Sequence, residues 1–193
     1  MAEHKDEIEQ GEIVVLLEDE CHLVWKDTCG YVWGKRNQPI EVPMTNHKSR
    51  QTYYGAVNLL TGKFHIKPYS AGNGPNTVAY IKWLRSLYPN AKLWLLWDGA
   101  TYHRYCETRD YLAQLNHGLT PSEWPVTCIL FAPHAPEQNP VEDIWLKGKN
   151  WLRKQFAFNK TFADVKNCFF EYLNEQIFIS AKHAWYLADP QII

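Results

Sequence analysis

Residues Ile13 to Trp25 read IVVLLEDECHLVW, and the alternation within this stretch decides how the rest of the chain is read. Side chains of an extended strand point to opposite faces with period two. Val15, Leu17, Cys21, Leu23 and Trp25 therefore share one side, and Asp19 interrupts that apolar side. Glu18, Glu20 and His22 fall on the other face, where solvent or a partner is expected to satisfy them. An ionised carboxylate on a buried strand face costs on the order of several kcal/mol unless it is paired or bound to a cation. Asp19 is accordingly a candidate cation ligand, with a hydrogen-bonded core Asp as the plain alternative.

Working outward, further strands are expected at Gln38 to Pro43 and Thr52 to Leu59, separated by turn-rich segments at Gly34 to Asn37 and Thr45 to Arg50. Leu60-Thr61-Gly62-Lys63 reads as a hairpin turn into Phe64 to Tyr69. After a Gly/Asn/Pro loop at Ala71 to Asn76, Val78, Ile81, Leu84 and Leu87 recur at helical spacing and predict a helix over Thr77 to Tyr88. Leu93 to Trp97 is a continuous apolar run, the pattern of a strand covered on both faces. It ends in Asp98, followed by the turn Gly99-Ala100. Ligands of open α/β sheets gather outside the carboxyl ends of strands, which makes Asp98 a second candidate; an Asp capping the next turn is the alternative. A helix over Arg104 to Leu115 and a buried strand over Val126 to Phe131 follow.

Asn139-Pro140 starts the clearest helix, as a cap followed by Pro at the first helical position, with Val141, Ile144, Trp145, Gly148 and Leu152 repeating on one face. Asn139-x-x-Glu142 has the spacing of a capping box. At about 100° per residue, Glu142 lies at the margin of the apolar face while Asp143 points nearly away, so Glu142 is the acid that can face a site at the sheet. Thr161 caps a last helix whose apolar face carries Phe162, Val165, Phe169, Tyr172 and Leu173.

A length of 193 residues suits one domain with a sizeable core, so residues 1–193 are read as a single globular unit. The hydrophobic fraction of 46% and nine Trp exclude a disordered chain. Apolar runs fall well short of the roughly 20 residues that cross a bilayer, so no membrane partner is expected. The start, MAEHKDEIEQGE, has no signal-peptide core, and five Cys without a CxxC pair argue against a disulfide framework or a structural zinc site. A cytoplasmic location is the expectation. The net charge of −1 does not announce a polyanion partner.

Three acids on two strands and a helix make joint sense as a holder of two divalent ions. Hard oxygen donors suit Mg²⁺ or Mn²⁺, and a pair of ions about 3.5 to 4 Å apart clamps the attacking and leaving oxygens of a phosphoryl displacement. The surroundings of the three acids are more specific. The strings LLEDECHL, LLWDGATYH and LFAPHAPEQNPVEDIWLKGKNWLR resemble, in order and context, the catalytic blocks of DDE transposases in the bacterial insertion-sequence branch of the mariner superfamily. The likeness runs loosely from Ile13 to Phe156.

The resemblance implies a ribonuclease-H-like α/β fold, with a mixed five-stranded sheet (three antiparallel strands, then two parallel) flanked by helices. It implies that Asp19, Asp98 and Glu142 form the catalytic, metal-binding triad. His103 matches a His that follows the family's second Asp, and it is read with Asn139 and Pro140 as shaping the site. Pro133 and Pro136 belong to the loop that delivers Glu142. The implied partners are DNA, both transposon terminal inverted repeats and target, with a TA target dinucleotide and two or more protomers assembled on DNA. Gly99 stands where the family usually has Asn, and the stretch between Asp98 and Glu142 is longer than usual, with the excess at Asn116 to Pro125. The family's N-terminal helix-turn-helix region is not found in this chain, which suits an excised domain or a second reading frame.

The chemistry so implied is metal-dependent cleavage of a phosphodiester at each transposon end, followed by attack of the freed 3′-OH on target DNA. Lys147, Lys149, Arg153 and Lys154 follow Glu142 on its helix and are candidate phosphate contacts, with a solvated helix face as the equal alternative. Two rival readings keep the fold: a structure-selective nuclease or resolvase, and a catalytically inactive DNA-binding or assembly module from a decayed element.

Overall fold

In the computed structural model, which describes residues 2–30, 34–38, 48–132, 138–174, 176–180, 182–183 and 186, a short helix α1 (Lys5–Glu9) leads into the long strand β1 (Ile13–Val24). β2 (Arg50–Asn58) and β3 (Phe64–Tyr69) follow, then α2 (Gly74–Leu87), β4 (Lys92–Trp97), α3 (Cys106–Leu115), β5 (Val126–Leu130), α4 (Pro140–Lys154) and α5 (Phe162–Leu173). The strands form one five-stranded sheet in the order β3-β2-β1-β4-β5. β1 pairs antiparallel with β2 and β2 with β3, whereas β4 runs parallel to both β1 and β5. Three antiparallel strands followed by two parallel ones are the expected arrangement.

Period-two alternation in β1 sorts its residues into two cores. Ile13, Val15, Leu17, Cys21 and Leu23 pack with Val141, Ile144, Trp145 and Leu152 of α4 and Val165, Phe169 and Leu173 of α5. Val14 and Leu16 face the other way, onto Tyr80, Ile81 and Leu84 of α2 together with Tyr54, Leu93 and Leu95. The sheet is thus buried on both faces, which explains why the chain between 13 and 17 is apolar without interruption.

Double coverage also corrects one reading. Glu18 and Glu20 are not left to solvent: Glu18 is 2% exposed, and the side chain of Glu20 equally so, beneath the 3-10 turn Thr101–Arg104. Only His22 of the three is exposed, with Nδ1 at 3.0 Å from Thr52 Oγ1. The cause is nonlocal, since nothing in β1 announces the segment that folds over its even-numbered face.

Other differences are local. α2 begins at Gly74 and not Thr77, because Asn73 caps it by accepting from Asn76 N–H at 3.0 Å and Pro75 tolerates the first turn. Residues 39–43 of the strand expected from Gln38 lie outside the described residues, as do Pro133, Pro136 and Glu137. The Asn116 to Pro125 insertion is a tight series of turns: Gly118 adopts φ 75°, Glu123 bonds back to Thr120, and Asn116 Nδ2 donates to the Val126 carbonyl at 3.0 Å.

Candidate metal centre

The sheet places two of the three acids side by side. Leu17 of β1 pairs with Leu96 of β4, and Asp19 and Asp98 each stand two residues beyond, at adjacent positions on neighbouring parallel strands. On its other side Asp19 pairs with Gly55 of β2. A Cβ at Gly55 would stand 2.5 Å from the rings of Phe64 and Trp145, so glycine here lets the Trp145 indole lie against the sheet. That indole donates from Nε1 to Asp19 Oδ2 at 3.1 Å.

Helix α4 brings the third acid. Asn139 caps it by accepting from Val141 N–H at 3.0 Å, and its Nδ2 donates to the backbone carbonyl of Glu18, also at 3.0 Å. One side chain therefore ties the start of α4 to β1 at the residue before Asp19. Pro140 is buried at the first helical position. Glu142 is exposed and lines a pocket of about 350 Å³ with Asp19, Trp145 and Lys149; Asp98 is not among the residues that line it. Asp143 lies elsewhere, paired with Lys182 at 2.8 Å, as its angle on the helix predicts.

Asp98 is held at the strand end. Its Oδ1 accepts from Ala100 N–H at 2.8 Å, which is the turn-capping role, and lies 3.3 Å from His103 Nδ1. The hydrogen bond from His103, against an opposing cost of partial burial, holds the Asp98 carboxyl below its ordinary range. His103 is buried, its ring stacked on Trp97 at a centroid distance of 4.1 Å. Its Nδ1 also donates to the Asp98 backbone carbonyl at 3.1 Å, and its Nε2 faces Glu20 Oε1 at 3.2 Å and Glu18 Oε2 at 3.5 Å. Burial works against a charged ring, but bonds to Asp98 and Glu20 and the charge of Glu18 outweigh it and lift His103 to about 11.

Asp19 has the opposite problem. Burial, and then the neighbouring charges of Glu20, Glu142 and Asp98, push its carboxyl up to about 8 despite a backbone hydrogen bond. The pocket therefore concentrates more negative charge than its own residues neutralise, an arrangement suited to a cation. At Gly99, a Cβ would meet nothing within 4 Å among the described residues, so the departure from the Asn usual in the resembled family is not forced by crowding.

The basic residues of α4 divide. Lys149 lines the pocket and pairs with Asp27 at 3.5 Å. Lys147 lies over the Phe178 ring, Arg153 packs on Gly30 and bonds Asn150, and Lys154 is exposed.

Residues 14–164 match the family described as DDE superfamily endonuclease. The chain belongs to that family. The matched span includes every residue of the centre described above. No curated protein sequence matches this DDE endonuclease domain. Among solved structures, it is similar to a chain of the simian T-cell lymphotropic virus intasome in complex with the PP2A regulatory subunit B56 gamma, with a TM-score of 0.56 and 9% identity over 93% of this chain and 55% of that one. It is also similar to the Mos1 transposase paired-end complex with left transposon end (TM-score 0.49, 14% identity, 99% of this chain and 52% of that one). The catalytic core domain of BIV integrase gives a TM-score of 0.49 and 14% identity over 86% of each chain. The domain spans about half the length of the first two of these chains. Its five-stranded sheet and flanking helices have the ribonuclease-H-like fold, in keeping with the matched chain of the viral intasome. Among the described residues no helix is long and apolar enough to cross a membrane.

Two contributors to the candidate centre were not legible as such: Gly55 and the indole N–H of Trp145. Trp145 and Gly55 read as core and strand residues. Only the pairing of Gly55 with Asp19 reveals their common purpose.

Proposed function

We propose that this domain is the catalytic part of a transposase of the bacterial insertion-sequence branch of the mariner superfamily, in which Asp19, Asp98 and Glu142 hold Mg²⁺ or Mn²⁺. Its reaction is cleavage of DNA phosphodiesters at transposon ends and transfer of the freed 3′-OH into target DNA. The observation that carries this reading is the pocket shared by Asp19 and Glu142, with Asp98 following the strand beside Asp19, and with Asp19 buried, crowded by Glu20 and Glu142, and pushed up to about 8. A divalent ion relieves that crowding, and an all-oxygen donor set fits Mg²⁺ or Mn²⁺. When bound, two such ions polarise the phosphate and ease deprotonation of the attacking water or hydroxyl.

The residues of the chain orient the ligands. Trp145 orients Asp19 by donating to its Oδ2. Ala100 N–H and His103 fix Asp98 at the end of β4. Asn139 sets the position of α4, and hence of Glu142, against β1. Lys149 stands seven residues after Glu142 on the same helix face and lines the same pocket, where its ammonium meets a DNA phosphate entering beside the metals. The partners in this reading are transposon-end and target DNA, with two or more protomers assembled on them.

The test is nicking of supercoiled plasmid in Mn²⁺, which needs no knowledge of the end sequence. Nicking by the wild type that falls to background in Asp19→Asn, Asp98→Asn and Glu142→Gln is the expected result. Equal nicking by wild type and all three variants rejects the assignment.

A further inference from the structure

Behind the catalytic carboxylates, on the opposite face of β1, lies a second group of metal-type donors that the proposed reaction does not use. Glu18 and Glu20 point from β1 toward the turn Thr101–Arg104, where they meet His103. All three side chains are 1–2% exposed, and one ligand atom from each lies within 4.8 Å of the others. His103 Nε2 carries at most one proton, and Glu20 Oε1 at 3.2 Å is the nearer acceptor. Among the described residues neither oxygen of Glu18 has a hydrogen-bond partner, although both are buried. A buried carboxylate without a donor is costly, and the Nε2 proton directed at Glu20 leaves Glu18 unserved.

We propose that Glu18 Oε2, Glu20 Oε1 and His103 Nε2 form a buried site for one divalent transition-metal ion, distinct from the catalytic centre. Ligands about 2.0 to 2.1 Å from a tetrahedral ion stand roughly 3.3 Å apart. The separations of 3.2 and 3.5 Å from His103 Nε2 to the two carboxylates bracket that value. An imidazole nitrogen among the donors selects Zn²⁺ over the hard ions Mg²⁺ and Mn²⁺ that suit an all-oxygen set, so the two sites differ in the metal they take. The other ring nitrogen already faces the Asp98 carbonyl and carboxylate, the arrangement in which a metal-bound histidine is oriented by an acceptor behind it. The ion neutralises the two buried carboxylates and fixes the imidazole that holds Asp98. It is a structural ion, enclosed and slow to exchange, loaded as the chain folds.

The test is the zinc content of protein produced in zinc-supplemented medium and dialysed against a chelator. About one equivalent per chain is expected to remain, both in the wild type and in an Asp19→Asn/Glu142→Gln double variant that lacks two of the catalytic ligands. That second arm separates this site from the catalytic assignment, whose failure leaves the result unchanged. Glu18→Gln is expected to lower the retained zinc at least tenfold while the circular dichroism spectrum stays folded. X-ray absorption on the loaded wild type, which does not depend on any variant folding, is expected to show one imidazole nitrogen, oxygen ligands and no sulfur. Folded wild type without retained metal, zinc undiminished in folded Glu18→Gln, or sulfur in the coordination shell overturns the proposal.

Discussion

Asp19 stands out because every other odd-numbered position of its strand from Ile13 to Leu23 is apolar, and the centre is built around that exception. Its environment has a measurable consequence in the cation-free protein. Unfolded, its carboxyl titrates near 3.8; folded, it keeps its proton up to about 8. Between those values the native state binds the extra proton, so this group's contribution to stability is complete below about pH 4 and is lost as pH rises to about 8. Glu18, raised chiefly by burial, acts in the same direction. Melting temperature in chelator is therefore expected to fall from acid toward pH 8. In Asp19→Asn the fall is shallower, with a gain on the order of 2 kcal/mol at the alkaline end, because the Trp145 N–H keeps an acceptor while the buried charge is gone. A slope identical to wild type refutes this account of Asp19. The partner residues were less legible. Glu18 and Glu20 fall on a face whose burial depends on a turn some eighty residues away in sequence, and alternation within one strand carries no trace of it.

Elements transmit position to these residues. α4 was legible from its cap, its Pro at the first helical position and its apolar stripe, and all three are present. The second bond of Asn139, to the Glu18 carbonyl, was not, because it joins residues distant in sequence. Asn139→Ala removes both bonds and is expected to cost about 1 to 2 kcal/mol by chemical denaturation, with weaker Mg²⁺ binding as α4 loses its tie to β1. An unchanged denaturation midpoint contradicts the tie. Gly55 makes the matching test on the sheet side. Gly55→Ala sets a methyl 2.5 Å from Phe64 and Trp145, so one ring must move, at a cost of roughly 1 to 3 kcal/mol. Trp145 fluorescence should shift as its bond to Asp19 is lost; a spectrum and stability equal to wild type exclude the close packing described. The start of α2 was misplaced for a simpler reason, since Gly74-Pro75-Asn76 has the composition of a loop yet Asn73 caps it into a first helical turn.

At the scale of the whole molecule, three antiparallel strands followed by two parallel ones were implied by the family resemblance of the acidic blocks, and the structure has that arrangement in the order β3-β2-β1-β4-β5. The same order puts Asp19 and Asp98 on adjacent strands and brings α4 across β1 with Glu142 at the open edge. The chain belongs to the DDE superfamily endonucleases, and the centre proposed for it lies at that edge. Chemistry at the edge depends on whether the three acids act together. The most direct measurement is calorimetric titration of wild type, Asp19→Ala, Asp98→Ala and Glu142→Ala with Mg²⁺, the ion that the oxygen-only site accepts and the histidine-containing site disfavours. Binding that weakens in all three variants is the predicted result. Binding to wild type that survives unchanged in all three contradicts the shared metal centre.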